Sequence, residues 1–163
     1  MTRTLILMRH AKSDWGHAGL PDHDRPLNAR GAKDAPAMGA WLRAAGFLPD
    51  EVLCSTATRT RQTLEGLSLT APTRFVPALY HADEDTMMEV LRQATGDTVL
   101  MVGHNPGIAA FAADLLAKAP DHPRFDDYPT SATLVARFEI QEWSDVNWRA
   151  GQVEAFVIPS DLA

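Results

Sequence analysis

The sequence contains a single cysteine, Cys54, so it cannot form a disulfide within the chain. Cys54 follows the apolar residues Val52 and Leu53, a setting that predicts a buried side chain rather than a reactive thiol. No stretch approaches the roughly 20 apolar residues that a membrane span requires. The apolar segment near the start, Leu5 to Met8, is too short for a signal peptide. We therefore expect a soluble, cytoplasmic protein that does not enter a membrane.

Basic residues are also scarce. Fifteen Lys and Arg side chains against 21 Asp and Glu side chains give a formal net charge of -6, and no run of basic residues forms a patch. A nucleic-acid partner is therefore not expected. Because the overall field repels anions, an anionic substrate would need a local cluster of cations. The length of 163 residues predicts one domain that spans residues 1–163.

Apolar segments of two kinds alternate along the chain. Short apolar runs predict strands over residues 5–9, 51–54, 74–76 and 98–102. Helical patterns and caps predict helices over residues 28–45, 59–67, 85–94 and 108–118. Two later strands, over residues 133–140 and 152–158, favour an antiparallel pair. The expected fold is α/β, a three-layer α/β/α sandwich with a mostly parallel sheet and an antiparallel edge.

The junctions between predicted strands and helices carry side chains that suit a phosphate. Six residues follow three of the strands in pairs: Arg9 with His10, Ser55 with Arg59, and His104 with Asn105. Since the carboxyl ends of parallel strands meet at one edge of a sheet, we expect all three junctions to open on one cavity. A phosphoryl group carries about -1.5 to -2 charges near neutral pH, and a guanidinium binds two of its oxygens.

Two histidines among arginines predict nucleophilic catalysis. A neutral His10 imidazole would attack phosphorus and form a covalent phosphohistidine, which water would then hydrolyse. The charges of Arg9 and Arg59 would lower the pKa of this imidazole and keep its lone pair free. A protonated His104 would stabilise the oxygens of the transition state.

These residues also resemble a known family. Three motifs are similar to the histidine phosphatase superfamily, also called the phosphoglycerate mutase-like family: Arg9-His10, Ser55-x-x-x-Arg59-x-x-Gln62-Thr63 and Gly103-His104. Three further motifs are similar to its SixA-type phosphohistidine phosphatase branch: Asp24-Arg25-Pro26-Leu27, Gly103-His104-Asn105-Pro106 and Tyr128-Pro129-Thr130. The resemblance covers nearly the whole chain and implies a phosphatase.

The resemblance implies a role for several of these residues. His10 would be the phosphorylated residue, and Arg9, Arg59 and His104 would complete the phosphate pocket. Arg25 would add a cationic contact from the first loop.

The candidate substrate-binding set is Arg25, Ser55 and Asn105, and no cofactor is expected. Arg25 has a second interpretation, as a surface arginine paired with Asp22 or Asp24.

The acid that would protonate the leaving group is not assigned. Many members of the family carry a glutamate after the third strand, where this sequence has His81. The candidates are His81, Asp83, Glu84, Asp22 and Asp24. Because a good leaving group needs little protonation, we expect phosphohistidine and aryl phosphates to react much better than alkyl phosphates.

The expected function is metal-independent removal of phosphate from phosphohistidine on a signalling or phosphotransfer protein. No segment is long enough to form a large cap, so the pocket should be open enough to admit a protein side chain. The alternatives are a broad small-molecule phosphomonoesterase, a mutase, and a module that binds phosphohistidine without turnover. A metal site at His10 and His104 is disfavoured, because arginines surround both residues and no compact pair of ligands is present.

Overall fold

The computed structural model describes residues 1–163 as six strands and four α-helices around one sheet. In chain order these elements are β1 (Thr2–Arg9), α1 (Ala29–Ala45), β2 (Glu51–Ser55), α2 (Thr58–Leu67), β3 (Thr73–Val76), α3 (Glu84–Arg92), β4 (Thr98–Gly103), α4 (Gly107–Leu115), β5 (Thr133–Glu139) and β6 (Gln152–Val157). Each begins and ends within three residues of its predicted bounds. No helix is both long and apolar enough to span a membrane.

The six strands form one mixed sheet in the order β3-β2-β4-β1-β5-β6. The first four of these strands run parallel to one another, with β4 between β1 and β2. β5 pairs antiparallel with β1, and β6 pairs antiparallel with β5. The predicted α/β fold, with a mostly parallel sheet and an antiparallel edge, is confirmed.

Alternate residues of β1 enter two separate hydrophobic cores. Leu5 and Leu7 belong to a cluster of 26 buried residues on the face covered by α3 and α4. Ile6 and Met8 belong to a cluster of 10 buried residues on the face covered by α1 and α2. A strand that is apolar on both faces is therefore buried between two helical layers, as parallel strands usually are. Cys54 is buried in the second cluster, as predicted.

Helix α4 ends earlier than the sequence pattern predicts. Leu116 adopts an extended backbone and forms a bridge with Gly151, whose carbonyl accepts a hydrogen bond from the N–H of Ala117. These contacts occupy the backbone groups that would otherwise form the helical hydrogen bonds as far as Lys118. At the other end, the Asn105 side chain accepts the Ala109 N–H at 3.2 Å and so satisfies one backbone donor of the first turn.

The segment between β1 and α1 is closed at its base. Ser13 and Leu27 form an isolated antiparallel bridge, and the Asn28 N–H donates to the Lys12 carbonyl at 3.0 Å. Asn28 also caps α1 by accepting the Gly31 N–H. Residues 14–26 therefore form a loop with both ends fixed beside the carboxyl end of β1.

We predict that Gly31→Ala destabilises the protein by about 1–3 kcal/mol, the usual cost of overpacking. A Cβ atom at Gly31 would lie 2.1 Å from the Lys12 carbonyl oxygen, whereas one at Gly103 would meet only the Met87 side chain, at 3.7 Å. Urea unfolding should therefore show a much smaller effect for Gly103→Ala. Equal stability of the two variants would contradict this interpretation of the Gly31 contact.

Candidate active site

A cavity of about 240 Å³ opens at the carboxyl ends of β1 and β4, beside the start of α2. Most of the residues that line it are polar or charged, and half of them lie between β1 and α1. They are Arg9, His10, Lys12, Ser13, Trp15, Asp22, Arg25, Arg59, His81, His104, Asn105 and Thr130. The structure thus brings the predicted strand ends together at one edge of the sheet.

His10 is held with one ring nitrogen free. Its Nδ1 lies 2.7 Å from the carbonyl oxygen of Ala11. A carbonyl can only accept, so Nδ1 carries the proton and Nε2 keeps its lone pair when the ring is neutral. The Ala11 N–H donates to the Thr63 hydroxyl at 2.9 Å, which fixes this part of the backbone. Burial, more than any neighbouring charge, lowers the pKa of His10 to about 3.

His104 faces His10 across the cavity, with 5.3 Å between the two ring centres. Its Nε2 lies 2.8 Å from the Ser55 hydroxyl. Burial, followed by the charge of Arg59, lowers the pKa of His104 to about 3, so this imidazole is neutral before an anion enters. The sequence-based expectation of a protonated His104 therefore requires the negative charge of a bound phosphoryl group.

Ser55 lies behind His104 rather than in the cavity. Its side chain is fully buried, and its hydroxyl also accepts the Ala57 N–H at 3.3 Å. Although we predicted a substrate-binding role for Ser55, this position suits orientation of the His104 ring.

Two guanidinium groups flank the histidines. Arg9 donates to the carbonyl of Tyr128 at 3.2 Å, and Arg59 donates to the Asp22 carbonyl at 2.8 Å. The Nε of each arginine is buried and has no hydrogen-bond partner. Burial and the nearby Arg59 charge lower the pKa of Arg9. These two neighbouring cations, each with an unused N–H donor, are suited to bind an oxyanion.

Arg25 forms the ion pair that its second interpretation predicts, but it is buried rather than on the surface. Its Nε donates to Asp22 Oδ1 at 3.1 Å, so it is paired as the simpler interpretation predicts. Only 7% of the Arg25 surface is exposed. The residue also lines the cavity. The Ser13 hydroxyl lies 2.5 Å from its Nη1, and the Trp15 ring stacks 3.5 Å from its guanidinium carbon. Asp24 instead approaches His23, at 3.6 Å.

Asp22 is the central counter-charge of the cavity. Its carboxylate accepts from Arg25, from Arg59 Nη2 at 3.0 Å and from the Tyr80 hydroxyl at 2.6 Å. The Tyr80 hydrogen bond first, and then the two guanidinium groups, hold the pKa of Asp22 well below its usual range. Asp22 is therefore ionised and engages the arginines that an anionic ligand would use. We predicted Asp22 as a candidate acid or as a partner of Arg25, but not as a partner of Arg59, and no role was predicted for Tyr80.

The other candidate acids are distributed between this cavity and its surroundings. His81 lines the cavity, and its Nε2 lies 3.8 Å from Asp22 Oδ2. Asp83 caps α3 by accepting the Thr86 N–H. Glu84 lies in a neighbouring cavity, where a hydrogen bond with Asp114 raises its pKa to about 7. Asp22 is thus the only carboxylate that lines the catalytic cavity.

Asn105 links two segments at the edge of the cavity. Its Nδ2 donates to the carbonyls of Asp127 at 2.9 Å and Tyr128 at 3.1 Å. The Tyr128 hydroxyl donates to the Leu7 carbonyl at 2.6 Å. The amide of Asn105 is therefore occupied in fixing the segment before β5, although we predicted it as a substrate contact.

The chain has no group of three or more His, Cys, Asp or Glu side chains placed to hold a metal ion. The charges that face an anion in the cavity are guanidinium groups. These groups stay protonated at any ordinary pH, so they bind phosphate without loss of charge.

Comparison with known proteins agrees with this geometry. Residues 5–83 match the profile of the histidine phosphatase superfamily (branch 1). An uncharacterized protein of Mycobacterium tuberculosis is 40% identical over 160 residues, which cover 93% of this chain and 99% of that protein. The fold, the paired histidines and their arginines define a phosphatase that works through histidine, and the chain belongs to the histidine phosphatase superfamily.

Solved structures place the resemblance within one branch of this superfamily. A structure of the phosphohistidine phosphatase SixA from Nakamurella multipartitia is 32% identical, with a TM-score of 0.84, and the match covers 98% of this chain and 97% of that one. The corresponding SixA structure from Agrobacterium tumefaciens is 26% identical, with a TM-score of 0.78 and 96% and 99% coverage. The predicted resemblance to the SixA-type branch is confirmed.

We predict that His10 and His104 stay neutral from about pH 8 down to about pH 5, where an unperturbed imidazole would become charged. Because burial lowers both pKa values to about 3, protonation begins only as the pH falls toward that value. Imidazole NMR signals, assigned with His10→Ala and His104→Ala, should be flat across this range. An inflection near pH 6.5 for either ring would contradict the prediction.

We predict that Asp22→Asn strengthens inhibition by inorganic phosphate roughly tenfold, the equivalent of one screened charge interaction. The amide no longer competes for the charges of Arg25 and Arg59. The measurement is the phosphate inhibition constant with an aryl phosphate substrate, and Asp24→Asn is the matched control. Weaker phosphate inhibition in Asp22→Asn would show that Asp22 assists binding instead.

Proposed function

We propose that the protein is a metal-independent phosphohistidine phosphatase that acts on a phosphorylated protein through a covalent intermediate at His10. One observation carries this proposal. The Nδ1 proton of His10 is committed to the Ala11 carbonyl, which leaves an unprotonated Nε2 beside Arg9, Arg59 and His104. A buried neutral imidazole among fixed cations is suited to attack a phosphoryl group.

In the first step, His10 Nε2 attacks phosphorus and the bond from phosphorus to the leaving nitrogen breaks. The electron pair of that bond stays on the leaving imidazole, which takes up one proton from water or from His81. The guanidinium groups of Arg9 and Arg59 balance the charge of the phosphoryl oxygens, and Asp22 releases Arg59 as the anion enters.

In the second step, water attacks the phosphorus of phosphorylated His10. The bond from phosphorus to Nε2 breaks, and its electron pair returns to the ring. The proton that the attacking water loses passes to solvent or stays on the phosphate, and inorganic phosphate departs. His104, oriented by Ser55, becomes protonated when the phosphoryl group is bound and stabilises its oxygens in both steps.

The charge state of the cavity favours substrates with good leaving groups. Asp22 is the only carboxylate in the cavity, and its hydrogen bonds keep it ionised, so it is poorly suited to donate a proton. An alkyl phosphate, whose leaving oxygen is strongly basic, depends on such a donor more than phosphohistidine does. The relatives whose names specify phosphohistidine support the same substrate class.

We predict that the wild-type chain releases phosphate from a phosphohistidine protein in excess chelator, and that His10→Ala loses at least about 10³-fold of this activity. His17→Ala, a change at an exposed loop histidine, is the matched control and should behave as the wild type. Turnover of sugar phosphates should be much slower than turnover of aryl phosphates.

Three results would contradict the proposal in different ways. A lasting complex without phosphate release would indicate a binding module. Comparable kcat/KM values for aryl and sugar phosphates would indicate a broad phosphomonoesterase. Activity that chelation abolishes and a divalent metal restores would indicate a metal-dependent reaction.

A further inference from the structure

A second cavity, of about 410 Å³, adjoins the catalytic cavity on the side of α1 and the segment before β5. Arg9, Lys12 and Thr130 line both cavities, so the two lie side by side. Its wall beyond this border includes Arg30, Arg124 and Ser160. A substrate with its phosphoryl group at His10 would therefore extend into a region that the proposed reaction does not use.

The second cavity is positively charged on a chain whose formal net charge is -6. Arg124 is neutralised by Asp127, with 2.8 Å between Nη2 and Oδ2. Lys12 is half-buried, and its ammonium group has neither a hydrogen bond nor an ion pair. Arg30 is largely exposed and donates no side-chain hydrogen bond, and its nearest approach to Asp34 is 3.5 Å, from Nε to Oδ2. Lys12 and the Nη groups of Arg30 are thus available for an anion.

The start of α1 fixes these two cations relative to His10. The Asn28 N–H donates to the Lys12 carbonyl, and Gly31 lacks a Cβ at the point where this carbonyl meets the helix. Lys12 follows the nucleophile by two residues, and Arg30 lies in the first turn of the same helix. The backbone therefore fixes where both side chains start relative to His10.

We propose that this cavity is a subsite for carboxylate side chains that flank the phosphohistidine of a protein substrate, an inference that rests on the proposed function. Its two available cations attract an anionic side chain of the same molecule that enters the catalytic cavity. The Asp127 carboxylate in its wall disfavours a second phosphate dianion, whereas a peptide can engage both the cations and the Arg124–Asp127 pair.

The test uses two synthetic phosphohistidine peptides that differ only in having Asp or Asn beside the modified residue. Wild-type kcat/KM should favour the Asp peptide roughly tenfold, the combined effect of two partly exposed charge contacts. The preference should fall in Arg30→Glu and with rising salt, because the contacts are screened. Lys33→Glu, the reversal of an exposed charge on the same helix outside both cavities, should keep the wild-type preference.

Failure of this inference can be separated from failure of the proposed function. Turnover of both peptides with equal kcat/KM would overturn the subsite and leave the phosphatase intact. If neither peptide reacts, the proposed function fails, and the subsite is judged by inhibition of aryl phosphate hydrolysis. The subsite is supported if the Asp peptide inhibits the wild type more strongly than the Asn peptide does and if this difference disappears in Arg30→Glu. Equal inhibition of the wild type by both peptides would overturn it.

Discussion

The crowding of cations in the catalytic cavity is the constraint on which the rest of the site depends. Arg25 and Arg59 are almost entirely buried beside Arg9, and only the Asp22 carboxylate lies among them as a counter-charge. Such a cluster repels itself unless an anion is present, since buried charges interact strongly. Asp22 supplies that anion from within the chain and draws the first loop onto the start of α2. The loop conformation and the affinity for phosphate therefore depend on the same carboxylate.

The scaffold contributes a second constraint, which keeps two imidazole rings neutral and fixes their orientations. His10 and His104 stand at the ends of adjacent parallel strands, where burial and neighbouring guanidinium groups disfavour the imidazolium form. Their hydrogen bonds to the Ala11 carbonyl and to Ser55 then fix the ring orientations. If His10 is the nucleophile, as we propose, it is ready before substrate arrives and little reorganisation is needed during the reaction. In that proposal the charge of the substrate favours protonation of His104, because it offsets the cations around that ring.

Much of this arrangement could be predicted from the sequence because it depends on local patterns. Buried parallel strands read as apolar runs; Arg9 ends one of them, and His10 and His104 directly follow two of them. The role of Asp22 could not be predicted in this way, because its partner Arg59 lies 37 positions away and its partner Tyr80 lies 58 positions away. No local pattern specifies those contacts. The early end of α4 has a similar origin, since Leu116 pairs with a residue far along the chain.

The bridge between Ser13 and Leu27 separates the first loop from the strand and the helix that it connects, and this separation bears on how such a protein can evolve. Because the bridge closes the loop at its base, residues 14–26 can change in length at a small entropic cost. Arg9, His10, Arg59 and His104 lie outside this segment. Insertions there would reshape the entrance and the counter-charge while the chemistry is inherited unchanged. A closed loop beside a fixed catalytic group is therefore a route by which one ancestral reaction can diversify into many specificities.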